Sequence, residues 1–149
     1  MIRPVRKEDA PAIQKICETA LGYPTPLSLI ESRIEALSGD PSLYLAVYEE
    51  EESRSVLGII EAERYEVFYE KSGWNLLSLA VLPKAQKQGV GKALLWSLEE
   101  FIQREGGAFL RLNSRIDRED AHGFYEHLGY CCDKTQKRFI KTFTEQKSG

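Results

Sequence analysis

The chain has 149 residues, enough for one domain of ordinary size with a real core and too few for two comfortable ones. With 42% hydrophobic residues, 29% charged residues and a net charge of -3, there is no large basic excess, which argues against nucleic acid as a partner. The longest apolar runs, such as residues 76–83, fall far short of a membrane helix of roughly 18 to 20 residues. Residues 1–5 are followed by charges in place of the apolar stretch of a secretory signal, so the expectation is a cytoplasmic protein without a membrane partner.

In chain order, residues 2–5 read as a short apolar strand. Residues 6–9 then lead into a helix on which Ala10, Ile13, Ile16, Cys17 and Ala20 recur at helical spacing. Gly22-Tyr23-Pro24-Thr25-Pro26 breaks that helix, Ser28 stands where a cap is needed, and a second helix carries Ile30, Ile34 and Leu37 until Gly39-Asp40-Pro41 closes it. Residues 43–48 and 56–65 are rich in β-formers and flank a polar, acidic loop, which predicts a hairpin. Residues 74–82 are nearly all apolar, as expected of a central strand covered on both faces. Pro83 ends that strand, a polar loop with two glycines follows, and Leu94, Leu95, Leu98, Phe101 and Ile102 mark a long helix running to Gly106-Gly107.

Residues 109–113 read as a further strand, 120–128 as a short helix, and 130–133 with 138–144 as a last pair of strands. The predicted order is β-α-α-β-β-β-α-β-α-β-β over a single domain, residues 1–149, with 145–149 as a frayed tail. The three cysteines, Cys17 and the adjacent Cys131 and Cys132, are odd in number and lack C-x-x-C spacing. They predict reduced thiols packed in the fold, with neither a disulfide framework nor a metal site.

The segment from Leu79 to Leu95 carries the chemistry. A buried strand empties into a glycine-containing turn that starts a long helix, and a helix start presents unpaired backbone N–H groups at the positive end of its dipole, where a phosphate is welcome. Gly89 and Gly91 lack the Cβ atoms that would keep a pyrophosphate away, while Gln86, Lys87, Gln88 and Lys92 add side-chain donors around the loop. A Walker-type loop would need Gly at position 86 and Ser or Thr at 93, where this chain has Gln86 and Ala93. A dinucleotide fingerprint would need three glycines in an early βαβ unit, whereas this loop follows the fourth strand.

Gln86-x-x-Gly89-x-Gly91 after Leu79-Ala80-Val81-x-Pro83 resembles the coenzyme A signature of GCN5-related N-acetyltransferases, the GNAT family. The likeness runs over nearly the whole chain. Ile2-Arg3-Pro4-Val5 with the acidic helix start is similar to the family's first strand and helix, and residues 121–130, Ala-His-Gly-Phe-Tyr-Glu-His-Leu-Gly-Tyr, to its closing helix and strand. The resemblance implies an α/β (α+β) fold: a central mixed, mostly antiparallel sheet of about seven strands flanked by helices. It implies acetyl-CoA as cosubstrate without a metal, held through the backbones of Leu79 and Val81 along the central strand and by Gln86, Lys87, Gln88, Gly89, Val90, Gly91 and Lys92 at the pyrophosphate. Where many members carry Asn three residues before Ala121, this chain has Arg118, a basic side chain able to meet a phosphate.

Tyr125 matches the family tyrosine whose hydroxyl stands near the thioester sulfur, and its phenol, with a pKa of about 10, suits a proton donor at neutral pH. The central strand has no carboxylate to deprotonate an amine, so the candidate bases are Glu61 and Glu63 on the strand before it, with Glu61 nearer its centre. His122 reads as a partly exposed helix residue. The acceptor is expected to approach along residues 21–29 and 133–137, and Glu61, Glu63 and Glu66 favour a cationic amine over an acid or alcohol. A polyamine, an aminoglycoside, an amino acid and a protein N-terminus all stay open, as does a homodimer. The competing functions are a module that senses acetyl-CoA without efficient catalysis and a nucleotide-phosphate binder.

Overall fold

The computed structural model describes residues 1–144. It divides into two compact units, residues 1–112 and residues 113–144 of the described chain.

The first unit is a sheet with helices on both faces. Its strands are β1 (Ile2–Pro4), β2 (Leu43–Glu49), β3 (Val56–Tyr65), β4 (Gly73–Val81) and β5 (Leu110–Leu112), in that spatial order. The first three pairings are antiparallel and the last, β4 with β5, is parallel. This is the mixed, mostly antiparallel sheet expected, with five strands among the described residues. Its helices are α1 (Ala10–Ile16), α2 (Leu27–Leu37) and α3 (Val90–Arg104). Beyond Ile16, the first helix loosens into a π turn over Cys17–Leu21, a winding that recurs near functional sites.

α3 shows why the apolar spacing folds as it does. Val90, Leu94, Leu95, Leu98 and Ile102 recur every three to four residues and are all buried, each contributing about 1.5–3 kcal/mol of transfer free energy. The helix lies so close to β3 that a Cβ on Gly58 would stand 3.0 Å from Val90 Cγ1 and 3.1 Å from Leu94 Cδ1. Gly58 is therefore what lets the first turn of α3 dock on the sheet. Tyr44, opposite Ala62, is on that same face, where its ring packs against Phe101 and its hydroxyl meets Ser97. Alternation along β3 puts Gly58, Ile60 and Ala62 toward α3 and Ile59, Glu61 and Glu63 on the opposite face.

The first unit is anchored at its start by Arg3, whose guanidinium bonds Asp9 twice at 2.8 Å and Glu49 once at 3.0 Å. Asp9 also accepts the backbone N–H of Arg6 at 2.8 Å, which closes the turn before α1.

Three expectations need correction. The central strand is not covered on both faces: Leu77 is 51% exposed, and Leu79 and Val81 are only half-buried. The last pair of strands, residues 130–133 and 138–144, is not formed among the described residues of the second unit. That unit's one helix is α4 (Glu119–His127), and residues 131–144 are exposed without a ladder between the two stretches. β-formers such as Phe139 and Ile140 make a strand only when a partner edge satisfies their backbone groups, and composition cannot supply that edge. The same region corrects the cysteines: Cys131 and Cys132 are exposed, not packed in a sheet. The expected tail, residues 145–149, lies outside the described residues.

Candidate active site

The site begins with half an edge. β5 pairs with β4 only over Trp74↔Leu110, Asn75↔Arg111 and Leu76↔Leu112, so the β4 ladder on that side ends at Leu76 while the strand runs on to Val81. On the other side, the Leu82 N–H donates to Leu57 O at 2.9 Å. Backbone N–H groups alternate sides along a strand, so Ala80 also faces β3, and Leu79 and Val81 aim their N–H groups away from it, to the side where β5 has stopped.

Four residues later the chain enters the loop. Gly89 caps α3 in the left-handed region with φ +85°, and Lys87 is left-handed as well at φ +63°. The first α3 hydrogen bond runs from Ala93 N–H to Gly89 O, 3.0 Å, so the N–H groups of Val90, Gly91 and Lys92 have no acceptor within the helix. A Cβ built on Gly89 meets nothing within 4 Å, so the space over this turn is open. Gln86 Nε2 donates to Val81 O and Gln88 Nε2 to Lys84 O, each at 3.2 Å, so they turn inward and brace the loop, leaving the backbone donors outermost. Lys87 and Lys92 are exposed cations, Lys92 lying 4.5 Å over the Trp96 ring.

On the face of the sheet away from α3, Glu61 accepts a hydrogen bond from Ser78 Oγ at 2.6 Å, and Glu63 accepts one from Asn75 Nδ2 at 3.0 Å. All four side chains are half-buried. The π turn brings Cys17 to this face, where burial and then the Glu61 charge push its thiol above the ordinary value, keeping it protonated at neutral pH. The connection from the first to the second helix is pinned nearby by Gln14, whose Nε2 donates to Thr25 O at 2.9 Å. Leu79, Val81, the 86–92 loop and Glu61 thus share the first unit.

Tyr125 and Arg118 belong to the second unit. Arg118 stands at the N-cap of α4, its carbonyl accepting the His122 N–H at 3.1 Å. Tyr125 lies on α4 between two rings, 5.2 Å from Phe124 and 5.8 Å from Tyr130 by centroid. Burial pushes its phenol up, so the hydroxyl keeps its proton well past neutrality. His122 Nε2 lies 2.8 Å from Arg115 O and closes the turn before the helix.

Ser78 and Asn75 are site residues that sequence reasoning missed. They are three apart, which in a regular strand puts them on opposite faces. A bulge at Leu77 changes the phase, so that Glu61 opposes Ser78 while Glu63 opposes Asn75. No local signal announces that bulge.

A model of the acetyltransferase (GNAT) family matches residues 10–130. The protein belongs to that family. This GNAT chain is 39% identical over 56 residues to the ribosomal protein bS18-alanine N-acetyltransferase of Escherichia coli (strain K12), a match covering 38% of each chain. It is 36% identical over 67 residues to the aminoalkylphosphonate N-acetyltransferase of Salmonella typhimurium, covering 45% of this chain and 42% of that one. The chain thus spans 38% and 42% of these two curated relatives. Among solved structures, an acetyltransferase of Trypanosoma brucei superposes with a TM-score of 0.79 at 19% identity, over 95% of this chain and 99% of that one. An aminoglycoside 6'-N-acetyltransferase of Acinetobacter baumannii gives a TM-score of 0.81 at 14% identity, over 97% and 99%. At such identity these two likenesses carry the fold. Proteins of the GNAT family use acetyl-CoA as cosubstrate.

Proposed function

We propose that this GNAT protein is an N-acetyltransferase that moves an acetyl group from acetyl-CoA to the primary amine of a small cationic molecule or peptide, by direct transfer, as one functional domain over residues 1–149. The observation that carries this reading is the open stretch of β4, whose outward N–H groups at Leu79 and Val81 lead toward the unbonded N–H groups at the start of α3. An elongated cosubstrate with an amide-bearing arm and a pyrophosphate fits that pair of features: the arm needs backbone partners along an edge, and the pyrophosphate needs converging donors with no Cβ in the way.

Acetyl-CoA, when bound, supplies the activated acetyl thioester. Leu79 and Val81 hold its arm through their backbones. Gly89, Val90, Gly91 and Lys92 hold the pyrophosphate, Lys87 adds charge, Gln86 and Gln88 keep the loop in shape, and Arg118 meets a phosphate. Glu61 takes the proton of the acceptor amine, directly or through a water, and Tyr125 provides a proton for the departing sulfur. The Tyr125 role needs a protonated phenol, which its burial maintains, and the Glu61 carboxylate is held by its hydrogen bond to Ser78.

The half-buried Glu61 and Glu63, with Glu66 exposed nearby in the chain, favour a cationic acceptor. The two curated relatives named above act on amines, which supports the same class. The deciding experiment is thiol release from acetyl-CoA across a panel of primary amines, with acids and alcohols as controls. Preferential turnover of one amine class is the expected result. Binding of acetyl-CoA without thiol release on any amine would turn the reading toward a sensor.

A further inference from the structure

We propose that Ser78 is a positioning residue for Glu61: its hydroxyl holds the carboxylate in one orientation, leaving the second oxygen for the acceptor amine. This rests on the reading of Glu61 as the base given above. The case starts from the bulge. With Glu61 opposite Ser78, a regular ladder would set Ala62 against Leu77 and Glu63 against Leu76. The extra residue, Leu77, instead brings Leu76 against Ala62 and Asn75 against Glu63, so both polar residues of β4 meet both glutamates of β3. One inserted residue is what gives each carboxylate a neutral donor.

The bond itself is short and one-sided. Ser78 Oγ donates to Glu61 Oε1 at 2.6 Å, whereas Oε2 has no hydrogen-bond partner among the described residues and Glu61 forms no salt bridge there. A carboxylate held by a cation would lose basicity and be occupied; one held by a hydroxyl on one oxygen keeps the other available. The Cys17 thiol from the π turn, Glu63 two residues along β3, Ser78 on β4 and the apolar Leu45 on β2 share this face with Glu61. Without the Ser78 bond, the carboxylate loses the contact that fixes which oxygen it presents.

The experiment is steady-state kinetics of the full-length protein on the amine panel, compared among wild type, Ser78→Ala and Ser78→Thr. Ser78→Ala is expected to lower kcat roughly tenfold with the KM for acetyl-CoA unchanged, because it removes the hydrogen bond that orients the base, and Ser78→Thr, which keeps the hydroxyl, to restore it. Thermal melts of the three proteins check that the fold is unchanged. Unchanged kcat in a folded Ser78→Ala protein overturns the role of Ser78. Release of no thiol from any amine by the wild type overturns instead the acetyl-transfer reading on which that role depends.

Discussion

The Arg3 guanidinium grips the Asp9 carboxylate with two parallel bonds, Nη1 to Oδ2 and Nη2 to Oδ1, both 2.8 Å. Their side chains are 9% and 5% exposed, so little water competes for the pair. Burial alone would push the Asp9 carboxyl up, but the Arg3 bonds, the Arg6 N–H and the charge of Arg3 together bring it below the ordinary carboxylate value. A carboxylate lowered on folding stabilises the protein at pH above its unfolded value, about 4, and that contribution is lost as pH falls through the folded value. Asp9→Asn should cost at least about 2 kcal/mol at neutral pH, because Arg3 loses one of the two carboxylates that neutralise it and keeps Glu49 and the Pro4 carbonyl. In thermal melts, wild type should approach the variant as pH drops below about 4. A constant gap across that range would mean that the pair's charge is not what stabilises the fold.

Gly89 carries a left-handed φ at the start of α3, and an added Cβ meets open space. Valine there is strained in any surroundings and projects into the volume a pyrophosphate would take. Gly89→Val and Gly91→Val should each weaken acetyl-CoA binding by roughly ten- to a hundredfold, the equivalent of about 1–3 kcal/mol. Calorimetry reads the affinity directly. Unchanged affinity in both variants would move the phosphate site elsewhere.

Tyr125→Phe keeps the ring that packs against Phe124 and Tyr130 and removes only the hydroxyl. If the hydroxyl protonates the leaving sulfur, kcat should fall by roughly ten- to a hundredfold with the KM for acetyl-CoA little changed, since the effect belongs to the transition state. Because burial raises the phenol, the basic limb in wild type should lie above the ordinary tyrosine value of about 10. Equal turnover would leave Tyr125 as a packing residue.

Glu61→Gln tests the base. The carboxylate should matter most at low pH, where free amine is scarce, so the ratio of wild-type to variant kcat/KM should rise as pH falls. If Glu61 only attracts a cationic acceptor, the loss should appear in KM and shrink as salt is added. A flat, salt-independent ratio close to one would remove Glu61 from the mechanism.

Much of the fold was legible because it is written in local periodicity. β3 begins at Val56 and ends at Tyr65 as its β-formers predict, and the α3 stripe from Leu94 to Ile102 is buried as its spacing predicts. The turn into α3 was legible for a related reason: glycines at a strand-to-helix junction state a backbone requirement, met here by Gly89 at φ +85°. Family membership followed from motifs of this kind.

By itself, then, the sequence determined which segments are helix or strand in the first unit, where the glycine turn before the long helix falls, and which carboxylates lie on the strand beside the central one. Only the tertiary structure decided what those groups meet. The bulge at Leu77 depends on how β3 and β4 settle against each other, and it alone lets Asn75 meet Glu63 while Ser78 meets Glu61. The inward turn of Gln86 and Gln88 depends on where the carbonyls of Val81 and Lys84 end up. The absence of a ladder in residues 130–144 depends on whether an edge is there to pair with. Each is a matter of register or partnership between distant segments, and a one-dimensional pattern with period 2 or 3.6 carries no term for either.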